Sequence, residues 1–196
     1  PMAAGLGGGS SDAASTLLAL NKLWDCRLTS EALQILGREL GADVPIFIYG
    51  HSAFASDIGA NFQKASVPES WYVIAKPIHS NISTAVLFNH PDLPRDTAAI
   101  DFADYDYTQT RNDCENLVRR LHSPVDEVCH WLSDYGQPRL TGTGACVFLP
   151  LFDLTLWPSI QASCPLDCKV WLCQGLNYSP VWLDLQEGDH APEPSE

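Results

Sequence analysis

The chain has 196 residues, 45% of them hydrophobic and 18% charged, a globular composition with room for one large domain or two small ones. Asp and Glu number 24 against 11 Lys and Arg, a formal charge of −13. So acidic a surface excludes nucleic acid and anionic membrane as expected partners, because both need a basic face. Anionic small molecules stay open, since backbone N–H groups can hold them without Lys or Arg.

No run of about 18 apolar residues is present, so no membrane span is expected. The start lacks a basic stretch followed by an apolar one, so no secretory leader and a cytoplasmic location are expected. Seven cysteines, at 26, 114, 129, 146, 164, 168 and 173, sit mostly in apolar runs and read as free thiols of a reducing compartment.

In chain order, residues 1–11 (PMAAGLGGGSS) hold four glycines and two serines and no charged side chain. Residues 12–24 read as a helix with Ala13, Leu17, Leu20 and Trp24 on one face and Ser10 or Ser11 as N-cap. A second helix is expected over 29–40, capped by Thr29 or Ser30, striped by Leu33, Leu36 and Leu40 and stopped by Gly41. Asp43-Val44-Pro45 then leads into a short apolar run, 46–49, ended by Gly50, and 51–70 read as mixed and turn-rich. Residues 71–75 form a strand, 83–88 a short helical turn, and 89–110 a long surface loop whose acids, Asp101, Asp104 and Asp106, are solvated. Helices follow at 113–121 and 124–135, the second aligning Val125, Val128, Cys129 and Leu132. Residues 139–141, a Gly142-Thr143-Gly144 turn and 145–149 read as strand, loop, strand, and 169–173 as a last strand. Residues 185–196 are acidic and proline-containing, an expected disordered tail. A composition change near 66–70 divides the chain into expected domains 1–68 and 69–184, of mixed α/β class, with no internal repeat.

The glycine segment carries the strongest chemical signal. Glycines allow main-chain amides to approach a phosphate chain closely, and a helix N-terminus directly behind adds a favourable dipole. The structural alternatives are a linker or a capping turn. No lysine follows, so it is not a Walker A loop, and no strand precedes it as a dinucleotide fold requires.

Residues 1–14, PMAAGLGGGSSDAA, resemble the phosphate-binding motif of the GHMP kinases. The triple glycine followed by two serines is similar to the branch that acts on 4-diphosphocytidyl-2-C-methyl-D-erythritol. Two further segments come in that branch's order: Gly41-Ala42-Asp43-Val44-Pro45, and LTGTGACVF at 140–148, similar to the third GHMP motif. Ala3 departs from the family, which usually has glycine there. The resemblance implies an α+β GHMP kinase fold, with the remainder of a ribosomal-protein-S5-domain-2-like N-terminal domain followed by a ferredoxin-like C-terminal domain.

The resemblance also implies chemistry: ATP-dependent phosphorylation of the 2-hydroxyl of that substrate, with Mg²⁺, in the methylerythritol phosphate route to isoprenoid precursors. It places Pro1, Met2, Ala3, Ala4, Gly5, Leu6, Gly7, Gly8, Gly9, Ser10 and Ser11 on the ATP, Asp43 as the catalytic carboxylate that takes the hydroxyl proton, and Phe88 on the cytosine ring. Asp43 read alone is a turn starter before X-Pro, and Phe88 read alone is a core aromatic. Gly142, Thr143 and Gly144 are expected beside the nucleotide segment. Cys164, Cys168 and Cys173 with His122 and His130 lack zinc-finger spacing, and the metal ligands stay unassigned. A homoserine- or mevalonate-type GHMP kinase, or a nucleotide-binding module without catalysis, are the other readings.

The family's phosphate motif follows a segment, about a third of its length, that supplies the first strands and a catalytic lysine. Nothing here matches that segment, and Lys22 and Lys64 lie in the wrong motifs. The chain is therefore expected to be a fragment with negligible kinase activity of its own, with Leu17, Leu20 and Trp24 facing water.

Overall fold

Among the described residues, 4–56 and 61–182 of a computed structural model, the chain forms seven α-helices and six strands. They fall into two compact units: Pro1–Leu6 with Ser70–Gly175, and Gly7–Glu69 with Leu176–Glu196. Pro1, Met2, Ala3 and the acidic tail expected at 185–196 lie outside the described residues.

The unit beginning at Gly7 contains α1 (Gly8–Leu23), α2 (Ser30–Leu40), α3 (Val44–Tyr49), β1 (Ala53–Ser56) and β2 (Asn61–Lys64). The first helix starts four residues earlier than its apolar stripe suggests. Its N-cap is Gly7, not Ser10 or Ser11: Gly7 takes the left-handed φ of 66° that glycine adopts without strain, and Ser11 N donates to Gly7 O at 2.8 Å. α2 begins as expected, with the Thr29 hydroxyl accepting from Ala32 N at 3.3 Å. The apolar run after Asp43 is a helix, α3, because Pro45 in its first turn presets helical φ and Gly50, at φ 73°, closes it.

Ala14, Leu33, Val44 and Ile48 form the core of the three helices, with Leu17, Leu18 and Phe47 packed against it. Gly37 permits the close approach of α2 and α3, since a Cβ there would sit 2.7 Å from Ile48 Cδ1. The helices' outer apolar positions find no such cover. Leu23 and Trp24 are 76% and 67% exposed, and Ile35 and Leu40 are 66% and 63% exposed.

Residues 51–70 are not merely turns, for β1 and β2 pair antiparallel from Ala53↔Lys64 to Ser56↔Asn61. Four-residue strands with small and polar residues show too little alternation to be read from sequence. Residues 176–182 are bound to the start of this hairpin: Ser52 N donates to Asn177 O and Ser179 N to Gly50 O, both at 2.9 Å.

The other unit holds β3 (Trp71–Pro77), α4 (Thr84–Phe88), α5 (Glu115–Leu121), α6 (Ser123–Ser133), β4 (Arg139–Leu140), β5 (Val147–Leu151), α7 (Trp157–Ala162) and β6 (Cys168–Gln174). Its strands make one antiparallel sheet in the order β4-β5-β3-β6, with Val73 opposite Leu149 on one side and Leu172 on the other. Val73, Ala75, Val147 and Leu149 turn one face to α5 and α6, where Val118, Val125, Val128, Cys129 and Leu132 complete the core. Helix α7 went unread in the sequence because six residues with Pro158 in the first turn are too few to show a period. The 89–110 stretch is irregular apart from a 3₁₀ turn at Phe102–Asp104, and Asp101, Asp104 and Asp106 are exposed.

Candidate functional site

The first turn of α1 is made of Gly8, Gly9, Ser10 and Ser11. With Gly7 as cap, the amides of Gly8, Gly9 and Ser10 have no acceptor inside the helix. No acidic residue lies in that turn and no side chain caps it, so the positive end of the helix dipole meets nothing of opposite charge from its own turn. Gly7 is required twice over, by its left-handed backbone and because a Cβ would lie 2.8 Å from the Phe47 ring. Gly9 differs. Its φ is not positive and a Cβ there would meet nothing within 4 Å, so the protein's own packing supplies no reason for glycine.

The ring of Phe47 against Gly7 sets α3 beside the start of α1. Asp43 is the N-cap position of α3, yet its side chain makes no capping bond, which removes the turn-starter explanation for a carboxylate here. Asp43 is exposed while Val44, directly after it, is 2% exposed. A buried neighbour at the start of a helix holds the backbone, and the carboxylate is left to solvent. Gly7 to Ser11 and Asp43 are thus in one unit, joined through Phe47.

Ala4, Gly5 and Phe88 belong to the other unit. The Ala4 carbonyl accepts from Cys146 N and from the Thr141 hydroxyl, both at 3.1 Å. Gly5, at φ 71°, lies so close to the third motif that a Cβ would fall 2.2 Å from Thr141 O. Gly142 faces Gly5 in turn, where a Cβ on Gly142 would lie 3.1 Å from Gly5 O. This is the proximity of residues 142–144 to the glycine segment that the resemblance implies. Leu6 is 36% exposed. Phe88, on α4, is 51% exposed and so is not a core aromatic. The Thr84 hydroxyl on the same helix shares a 2.9 Å hydrogen bond with the Thr143 hydroxyl, tying α4 to that loop.

The thiols beside these segments are chemically quiet. Burial pushes Cys146 up to about 11 and Cys129 and Cys168 to about 12, so all three stay protonated at neutral pH. All seven cysteines are free, and among the described residues no three His, Cys, Asp or Glu side chains are grouped to hold a metal ion. No helix among them is long and apolar enough to cross a membrane. Sequence reasoning missed Phe47, which supports Gly7, and Asn112, which holds the third motif. Asn-Asp before a helix was a visible capping signal, whereas nothing in an apolar run distinguishes Phe47.

Residues 1–51 match the family model described as the GHMP kinases N terminal domain. Three relatives, each named 4-diphosphocytidyl-2-C-methyl-D-erythritol kinase, come from Pseudoalteromonas atlantica, Shewanella frigidimarina and Marinobacter nauticus. They are 42%, 43% and 43% identical over 92%, 95% and 95% of this chain. The chain spans only 63%, 64% and 66% of their lengths. A crystal structure of 4-(cytidine 5'-diphospho)-2C-methyl-D-erythritol kinase matches with a TM-score of 0.70 at 28% identity, over 89% of this chain and 67% of that one.

Proposed function

Because the chain belongs to the GHMP kinase family and has its α+β fold, we propose that it is about two thirds of an enzyme that transfers the γ-phosphoryl group of ATP to the 2-hydroxyl of 4-diphosphocytidyl-2-C-methyl-D-erythritol. The observation that carries this reading is the pairing, within one unit, of a glycine-opened helix N-terminus with an uncapped, solvent-facing Asp43.

In this proposal the segment from Pro1 to Ser11 lies along the ATP. The amides of Gly8, Gly9 and Ser10 donate to the phosphate oxygens, where the helix dipole adds to the attraction. Ser10 and Ser11 add hydroxyl oxygens, which fit a phosphate-bound Mg²⁺; that ion would neutralise developing charge on the transferred group. Asp43 accepts the proton of the attacking hydroxyl and orients that oxygen in line with the phosphoryl group. Phe88 offers a half-exposed ring on which a cytosine can stack. In this assignment residues 1–68 are the remainder of the N-terminal domain and 69–184 the C-terminal domain, with residues 4–6 packed in the second unit and 176–182 in the first, and a cytoplasmic location belongs to it.

The uncovered apolar positions of α1 and α2, and the length missing relative to the three relatives, support the fragment reading. The test adds the portion of the Marinobacter relative with which this chain does not align, and follows transfer of labelled γ-phosphoryl to the diphosphocytidyl substrate. The chain alone is inactive and the mixture active, and Asp43→Asn silences the mixture while leaving ADP bound. Turnover by the chain alone would overturn the fragment reading. Transfer to homoserine or mevalonate in place of the diphosphocytidyl alcohol would overturn the substrate.

A further inference from the structure

Asn112 precedes α5 and spends every polar atom of its side chain. Its Oδ1 accepts from Cys114 N at 2.9 Å, an Asx turn that sets the entry to the helix. Its Nδ2 donates both hydrogens across the unit, to Leu140 O at 3.0 Å and to Gly142 O at 2.7 Å. Glu115, in the first turn of α5, secures the same stretch from the other side, its Oε2 accepting from Leu140 N at 2.9 Å. The stretch so held carries Thr141, whose hydroxyl donates to Ala4 O, and leads to Cys146, whose amide donates to the same carbonyl. Gly142, on which Asn112 pulls directly, is packed against Gly5.

We infer that Asn112 is a positioning residue for the nucleotide segment: it fixes the 140–144 loop, and that loop fixes the Ala4–Gly5 backbone from which the phosphate-binding residues run. The inference rests on the reading of residues 5–11 as the ATP-phosphate segment. Asparagine is needed because one planar group must accept from a helix entry and donate twice to carbonyls. Aspartate keeps the shape and the Asx turn but presents an acceptor to two other acceptors. The Leu140 and Gly142 carbonyls, deprived of these donors and faced with a carboxylate oxygen, move away from residue 112, and Ala4–Gly5 goes with them.

The experiment measures binding of N-methylanthraniloyl-ADP by fluorescence, with thermal melting in parallel. It compares the unaltered 196-residue chain with Asn112→Asp, Thr141→Val and Val128→Ala. Val128→Ala opens a cavity in the core under α6 and serves as the control for mere destabilisation. Asn112→Asp and Thr141→Val weaken binding about tenfold or more, the scale of one or two hydrogen bonds. Val128→Ala melts lower and binds as before. Undiminished binding by Asn112→Asp overturns the inference and leaves the phosphate-segment reading standing, and so does equal weakening by Val128→Ala. Should Asn112→Asp fail to fold, Thr141→Val decides, since it removes a single hydroxyl, the one that reaches Ala4 O and, at 3.4 Å, Cys146 O; unchanged binding there overturns the inference. Absence of binding by the unaltered chain overturns both.

Discussion

Two glycines two residues apart are asked to do different work, and exchanging each for alanine separates folding from binding. At Gly7, alanine meets a left-handed backbone, φ 66°, and the Phe47 ring at 2.8 Å. The backbone alone costs about 1–2 kcal/mol, and displacing a packed ring adds about 1–3 kcal/mol. At Gly9 the backbone is helical and the space beyond the Cβ is empty to 4 Å. There alanine stabilises the chain by about 0.5–1 kcal/mol through helix propensity. For a chain of this length each kcal/mol moves the melting temperature by about 2–4 °C, so the two variants melt on opposite sides of the parent. A helical Cβ tilts toward the helix N-terminus, so the new methyl of Gly9→Ala stands where a phosphate must approach the amides. Losing a hydrogen bond to a charged acceptor is worth about 1.5–3 kcal/mol, roughly tenfold to a hundredfold in affinity. Gly9→Ala is therefore more stable and binds N-methylanthraniloyl-ADP more weakly. Differential scanning fluorimetry and a fluorescence titration of the same samples read both quantities. A Gly9→Ala chain that melts higher and binds as tightly as the parent would refute the idea that bare main-chain amides hold the phosphates.

Further outcomes follow from the same structure. Asp43→Asn shifts the melting midpoint by no more than about 0.5 kcal/mol in stability, because the carboxylate makes no capping bond; a larger loss in thermal denaturation would return Asp43 to a structural role. His51 has a buried Nδ1 without a hydrogen-bond partner and sits edge-on to Tyr49, Tyr178 and Trp182, with ring centroids 5.2, 5.1 and 4.6 Å away. Burial, and then the nearby Lys64 ammonium, hold its pKa below the ordinary 6.5. The unfolded chain therefore takes up the proton first, so stability is full above pH 6.5 and falls as the pH drops through and below it. His51→Gln flattens that slope in melting curves from pH 7.5 to 5.5, and an unchanged slope would remove His51 from its origin. Trp24→Ser combined with Leu40→Ser, at positions 67% and 63% exposed, lowers light scattering by the isolated chain at unchanged melting temperature; a large drop in melting temperature would show those side chains to be covered.

Much of this arrangement was legible before any coordinates. Thr29, Gly41 and the 33–36–40 spacing announced α2, and the short helical turn at 83–88 was read as well, because caps and apolar periods are local signals. The segments that carry the candidate site were legible as motifs, yet the start of α1 was misplaced. Serines are the common N-caps, and only the left-handed backbone of Gly7 reveals that the helix takes in Gly8, Gly9, Ser10 and Ser11 of the apparent loop. The β1–β2 hairpin and α7 were invisible because their four to six residues complete no period. The grip of Asn112 on residues 140–142, and of Thr141 on Ala4, spans up to 137 positions of sequence. A single sequence contains nothing that pairs such distant residues.

The most direct measurement is a crystal structure of the chain with a nonhydrolysable ATP analogue and Mg²⁺. The triphosphate lies against the amides of Gly8, Gly9 and Ser10, with its terminal phosphoryl group turned toward the Asp43 carboxylate. A nucleotide seated away from that first helical turn, or one whose terminal phosphoryl points away from Asp43, would contradict the account.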